Sequence, residues 1–183
     1  MIRFGVWLTA CIFAAGAVSA GIQEPPLALV SEALQQQTPC AAPEYHQFDF
    51  WIGDWDGFDV DKPGVVAARN HVDRILDGCV LREDYRGMDG SEGQSFTIYD
   101  ATRKVWHQTW VTNRGKLLVI EGNVQNGEMV LRGVDRLANG PKRQVRGTWK
   151  SVMEGVRETA VISTDGGKTW KPWFDMLFRP HRP

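Results

Sequence analysis

The sequence predicts an all-β fold: an antiparallel up-and-down barrel of about eight to ten strands with a short N-terminal helix. Three observations carry this expectation. From His46 onward, apolar or aromatic residues alternate with polar ones at a period of two. Turn residues interrupt that alternation at hairpin spacing, as in Leu76-Asp77-Gly78, Asp100-Ala101-Thr102, Asn113-Arg114-Gly115 and Gln125-Asn126-Gly127. No segment between the strands is long enough to hold the crossover helix that a parallel sheet needs.

The elements follow in chain order. Arg3 precedes an uncharged apolar run from Phe4 to Ala17, and Val18-Ser19-Ala20 offers small residues for cleavage, so residues 1–20 read as a secretory signal peptide. The run is too short for a membrane span. Leu8-Thr9-Ala10-Cys11 also fits lipoprotein processing, with Cys11 as the lipidated terminus, but few apolar residues precede it. The expected location is periplasmic or secreted. Residues 21–45 read as a linker, with Pro25, Pro26, Pro39 and Pro43 and a Gln35-Gln36-Gln37 tract. Leu27, Val30 and Leu34 recur at helical spacing within it, which predicts a short amphipathic helix.

Residues 46–183 form the predicted barrel domain, with strands near 55–60, 66–75, 79–86, 95–99, 104–111, 117–124, 128–134, 143–151, 156–163 and 173–179. Asn126-Gly127 is a strong hairpin signal, because both central residues of that turn need positive φ. Ten meandering strands either stack as two sheets or close on themselves. Closure removes both open edges without long connections, which favours the barrel. A barrel of this size leaves an internal cavity unless large side chains fill it. Seven of the eight Trp lie after residue 20, enough to plug a barrel or to line a pocket.

Composition sets outer limits. With 21 Lys+Arg against 22 Asp+Glu, the formal net charge is −1, which excludes a strongly basic nucleic-acid footprint. A hydrophobic content of 43 % excludes a wholly disordered chain. Once the leader is removed, Cys40 and Cys79 remain. In an oxidising compartment they allow one disulfide, stabilising by about 3–4 kcal/mol in the chain-entropy model. The alternative is two free, buried thiols. Neither has a nearby His or a Cys-x-x-Cys partner that would make it catalytic.

The most distinctive local pattern is Phe48-Asp49-Phe50-Trp51-Ile52-Gly53-Asp54-Trp55, just before the first strand. Gly53-x-Trp55 at the start of a β-meander, with Arg179 closing the last strand, resembles the lipocalin and calycin superfamily. That resemblance implies structural roles for Gly53, Trp55 and Arg179, with Trp55 across the closed end of the barrel and Arg179 stacked on it by a cation–π contact. Together with Ile75 to Cys79, Trp106 to Val111 and Ser163 to Trp170, the pattern is similar to an uncharacterised bacterial family of exported lipocalin-like proteins, a domain of unknown function. It implies a calycin-type barrel over residues 46–179 and brings no established activity. The chain has Ala160-Val161 where such relatives carry a Trp-Glu pair. Ser163 to Trp170 also matches the S-x-D-x-G-x-T-W box of sialidase-type propellers, but a single copy reads as a structural hairpin, without glycosidase chemistry.

The binding candidates come from strand alternation. Leu81, Glu83 and Tyr85 share one face. If that face is inward, Glu83 is a buried carboxylate with a raised pKa; the alternatives are an outward Glu83, or one paired with an interior Arg. Trp106, Gln108 and Trp110 share a face that resembles a shelf for a small molecule, with His107 replacing Gln108 if the opposite face is inward. Trp149 and Arg146 pose the same question on a later strand.

The ligand-binding candidates are therefore Glu83, Tyr85, Trp106, Gln108, Trp110 and Trp149, and the expected partner is a small hydrophobic or aromatic molecule. No nucleic-acid partner and no membrane span are expected. His46, His71, His107 and His181 are scattered, so no metal site or cofactor is expected, and no set of catalytic residues is read. Two other readings compete: a lyase or isomerase using an interior Glu–Tyr or Glu–His pair, and an envelope-interaction protein with a plugged barrel.

Overall fold

Two short 3-10 turns, Pro43–His46 and Asp49–Trp51, lead into ten strands. They are β1 (Gly53–Asp59), β2 (Val66–Ile75), β3 (Val80–Gly87), β4 (Glu92–Asp100), β5 (Val105–Thr112), β6 (Leu117–Gln125), β7 (Glu128–Arg136), β8 (Lys142–Val152), β9 (Gly155–Ser163) and β10 (Lys171–Pro180). The computed structural model describes residues 39–136, 140 and 142–182. The predicted signal peptide, Cys11 and the helix expected around Leu27–Leu34 lie outside the described residues.

Each strand pairs antiparallel with its neighbour in sequence, and β1 pairs with β10, so the sheet is a closed ten-stranded up-and-down barrel consistent with a calycin-like architecture. Strand positions match the sequence alternation closely. The widest difference is β4, which starts at Glu92 and not 95, while β1, β7 and β10 each run two residues further at one end. The Asn126-Gly127 turn has the positive φ values its residue types suggest, 52° and 80°.

One end of the barrel is plugged by the segment that precedes β1. Phe48 and Trp51 are buried there. Phe48 meets Trp106 and Trp149 edge-on, at 5.9 and 5.6 Å between ring centroids, while Trp51 stacks on Trp55 at 5.8 Å and meets Phe178 edge-on at 4.8 Å. Arg74, on β2, fastens the plug from outside. Its guanidinium donates to the Tyr45 carbonyl at 2.8 Å and also bonds the Gly78 carbonyl and the Asp49 carboxylate. Cys40 and Cys79 form a disulfide with a Cα–Cα distance of 5.1 Å, tying the start of this segment to the β2–β3 turn. Disulfides of this kind are typical of proteins in oxidising compartments.

The expected stacking of Arg179 on Trp55 is not observed. In the β1–β10 register Arg179 lies opposite Asp56, on the outward phase, because Phe178 takes the inward one. Arg179 instead lies over the Phe58 ring at 4.6 Å and donates to the Pro63 carbonyl at 3.1 Å. Trp55 does close the plugged end, but its stacking partner is Trp51, to whose carbonyl it donates at 3.0 Å.

The Ser163–Trp170 box is a self-contained turn between β9 and β10. Asp165 accepts the backbone N–H groups of Lys168 and Thr169 at 3.0 Å, the Gly167 N–H donates to Ser163 Oγ at 2.9 Å, and the Trp170 indole donates to the Gly167 carbonyl at 3.1 Å. Hydrogen bonds from Thr169, foremost, and Ser163 hold the Asp165 carboxyl far below the usual carboxylate range. The side chains of Ser163, Asp165, Thr169 and Trp170 all bond within the turn. It is a structural hairpin.

Candidate functional site: the barrel cavity

The plug fills only the closed end. Above it, toward the end carrying the 88–91, 113–116 and 164–170 turns, the interior holds a cavity of about 330 Å³, within the range of small-molecule sites. Strand alternation decides its lining. Leu81, Glu83 and Tyr85 point inward on β3; Trp106, Gln108 and Trp110 on β5; Val145, Gly147 and Trp149 on β8; Val156, Glu158 and Ala160 on β9. Glu83, Tyr85, Gln108, Trp110 and Trp149 all line the cavity.

Trp106 does not line it. It lies one turn of the pleat nearer the closed end and is 1 % exposed. There it packs on Phe48 and Tyr99 and donates to Gln47 Oε1 at 3.1 Å, so it belongs to the plug. His107 and Arg146 are on the outer surface. His107 bonds Glu121 at 2.7 Å and Thr109 at 3.0 Å, and Arg146 lies over the Trp170 ring at 4.8 Å. Gln108 is therefore the inward polar group of β5, and an interior Glu–His pair does not form with His107.

Two glycines make room for the indoles. A Cβ on Gly147 would stand 2.8 Å from the Trp149 ring, and one on Gly93 would stand 2.3 Å from the Trp110 ring. Both contacts are closer than carbon atoms tolerate, so each ring occupies space that only a residue without a side chain leaves free.

Glu83 is a buried carboxylate, but its partners are neutral. Asn70 Nδ2 donates to Oε1 at 3.0 Å and Ser95 Oγ to Oε2 at 2.7 Å. Gln108 extends the network, donating to Thr97 Oγ1 at 3.0 Å and to Ser95 Oγ at 3.4 Å. Burial pushes the Glu83 carboxyl up, against the pull of the Ser95 and Asn70 hydrogen bonds.

A second acid, Glu158, shares the cavity. Burial raises it well above the usual range, the Glu83 charge raises it further, and Trp149 opposes through a hydrogen bond. Tyr85 is pushed up to about 12 by burial and by the charges of Glu158, Asp89 and Glu83. Among the described residues, no Lys or Arg bonds either cavity carboxyl.

The mouth has its own polar cluster. Asp135, 0 % exposed, is met by Lys116 Nζ at 3.0 Å and by the Arg143 guanidinium at 2.7 Å. Both cations also lie over the Trp173 ring, at 4.8 and 4.5 Å from its centroid. Burial works to raise the Asp135 carboxyl, but the Lys116 and Arg143 hydrogen bonds outweigh it and hold the group low.

The sequence analysis did not single out Glu158, Lys116, Trp173, Met176 or Phe178. Glu158 carries a usable signal: in Val156-x-Glu158-x-Ala160-x-Ile162 it shares the phase of apolar residues, as Glu83 does on β3. Trp173 lacks one, because a register shift between Pro172 and Phe174 breaks the alternation there.

Among the described residues, no group of three or more His, Cys, Asp or Glu could hold a metal ion, and no helix is long and apolar enough to cross a membrane. No protein-family model and no curated protein matches the chain.

Proposed function

We propose that this protein is an exported, lipocalin-like binder that holds a small, largely apolar or aromatic molecule in its barrel cavity. One observation carries the reading. A barrel whose closed end is filled by aromatic rings nonetheless keeps about 330 Å³ lined by Trp110, Trp149, Trp173 and Tyr85, with the polar side chains Glu83, Gln108, Glu158 and Lys116 among them. Apolar walls supply affinity, at about 25 cal/mol per Å² of surface removed from water. A few polar groups supply orientation. The disulfide and the signal-like residues 1–20 support the extracytoplasmic part of the reading.

Ligand screening by tryptophan fluorescence tests it. A binder of the right size changes indole emission saturably, and Trp110→Phe and Trp149→Phe each remove part of that change. A barrel that stays silent across a broad set of small hydrophobic molecules overturns the reading.

A second reading rests on the two raised carboxyls. A carboxyl whose hold on its proton is strengthened by burial is suited to proton transfer, which would make the cavity a lyase or isomerase site. On that reading Glu83→Gln abolishes turnover and leaves ligand affinity in place. If turnover survives the substitution, the enzymatic reading fails.

A further inference from the structure

We infer that the cavity selects a cationic amine with an apolar or aromatic body, its ammonium group seated between Glu83 and Glu158. The inference rests on the cavity being a binding site, and it concerns the charge of the ligand.

Two acids from opposite parts of the sheet, β3 and β9, line one small space. Buried acids are normally matched by a basic partner, since an unpaired buried charge is costly. Here Glu83 is bonded by Asn70 and Ser95, and among the described residues no Lys or Arg bonds Glu158. Lys116, which lines the same cavity, is committed together with Arg143 to Asp135 and to the Trp173 face at the mouth. The carboxyls lie deeper. Glu158 is directly opposite Trp149 in the β8–β9 register, and Trp149 packs against Phe48 of the plug. The missing counter-charge is thus one that a ligand can bring.

The surroundings suit an organic cation better than a metal ion. Trp110, Trp149 and Tyr85 present aromatic faces to the same space, and such faces attract ammonium groups. Among the described residues, no third His, Cys, Asp or Glu joins the two acids to hold a hard metal ion. Without ligand, burial and mutual repulsion favour a proton on at least one of the two acids. An entering ammonium replaces that proton.

A matched series separates this inference from the underlying one: 3-phenylpropylamine, 3-phenylpropan-1-ol and 3-phenylpropanoate, titrated near neutral pH with fluorescence and calorimetric readouts. The amine is expected to bind about tenfold or more tighter than the alcohol, as a charge-assisted hydrogen bond requires, and the carboxylate weakest. If the alcohol or the carboxylate matches the amine, the amine inference falls while the cavity stands. If all three are silent, the cavity reading falls and takes the inference with it.

Glu158→Gln and Glu83→Gln should each erase most of the amine preference with little effect on the alcohol. In Glu83→Gln the new amide can donate to Asn70 Oδ1, a buried acceptor without a partner, which favours folding. Should either variant fail to fold, the wild-type protein still decides. (3-Phenylpropyl)trimethylammonium carries a fixed charge, so its affinity should rise with pH as Glu83 and Glu158 ionise. Tyr85 stays neutral over that span, and the Asp135 carboxyl at the mouth is held low by its hydrogen bonds from Lys116 and Arg143. A flat profile for this cation overturns the inference.

Discussion

Glu158 shows how one side chain can tax the empty barrel. Its carboxyl is raised by burial first and by Glu83 second, and Glu83 is itself raised by burial. A group that binds its proton more tightly when folded makes stability fall as pH climbs from the unfolded value of about 4.3 through the folded one. The ligand-free protein is therefore expected to lose stability as pH rises from about 4.3 toward neutral. Each unit by which a folded pKa is raised corresponds to about 1.4 kcal/mol once both states are ionised. Glu158→Gln should flatten this decline and stabilise the protein at neutral pH, read from urea midpoints between pH 4 and 8. A variant with the same pH slope as wild type would show that Glu158 ionises freely in the fold. Glu83 was legible in the sequence because the Leu-x-Glu-x-Tyr alternation placed it with apolar neighbours. What the sequence could not supply was the partner set, since Asn70 and Ser95 come from the two flanking strands and meet it only through the register, and Glu158 shares its cavity from β9.

Among the elements, the strands were far more legible than the plug. Period-two alternation and turn chemistry are local, so all ten strands could be placed from the sequence. The run Phe48–Trp55 is rich in rings without a clear period, and its two short 3-10 turns are set by tertiary contacts with Trp106, Trp149 and Phe178. The same shortage of local signal left Arg179 assigned to Trp55, when the stacking partner was four residues upstream of that Trp. The plug has little structure of its own and depends on its fastenings. Cys40→Ser with Cys79→Ser should lower stability by about 3 kcal/mol, measured by denaturant unfolding, and should raise amide exchange first over residues 43–52. Protection lost evenly around the barrel would show instead that plug and sheet unfold as one unit.

For the molecule as a whole, the barrel is a cup sealed at one end by aromatic packing and narrowed at the other by Trp173 beneath two cations. Cation–π contacts of this kind contribute about 0.5–2 kcal/mol each, enough to hold a ring in place without locking it. Trp173→Ala should therefore speed ligand release by about tenfold, with a smaller gain in association, as stopped-flow fluorescence would show. Unchanged rates would place the route elsewhere. That a lumen exists was legible only as an alternative, because the count of seven indoles does not say which fill space and which border it. The outcome was a division of labour, with Trp51, Trp55 and Trp106 in the seal and Trp110, Trp149 and Trp173 around the void.

The seam between β1 and β10 joins the two ends of the described sheet, with Trp55 opposite Pro180 and the His181 amide donating to the Asp54 carbonyl at 2.8 Å. Nine of the ten ladders link consecutive strands, and only this one spans the whole domain. Its formation carries the largest loop-closure entropy, so it should zip last as the chain folds. Covalently splicing the ends there and cutting the backbone at Asn113-Arg114-Gly115 would make β5–β6 the new long-range seam. Such a circular permutant should keep the same cup while closing it along a different line.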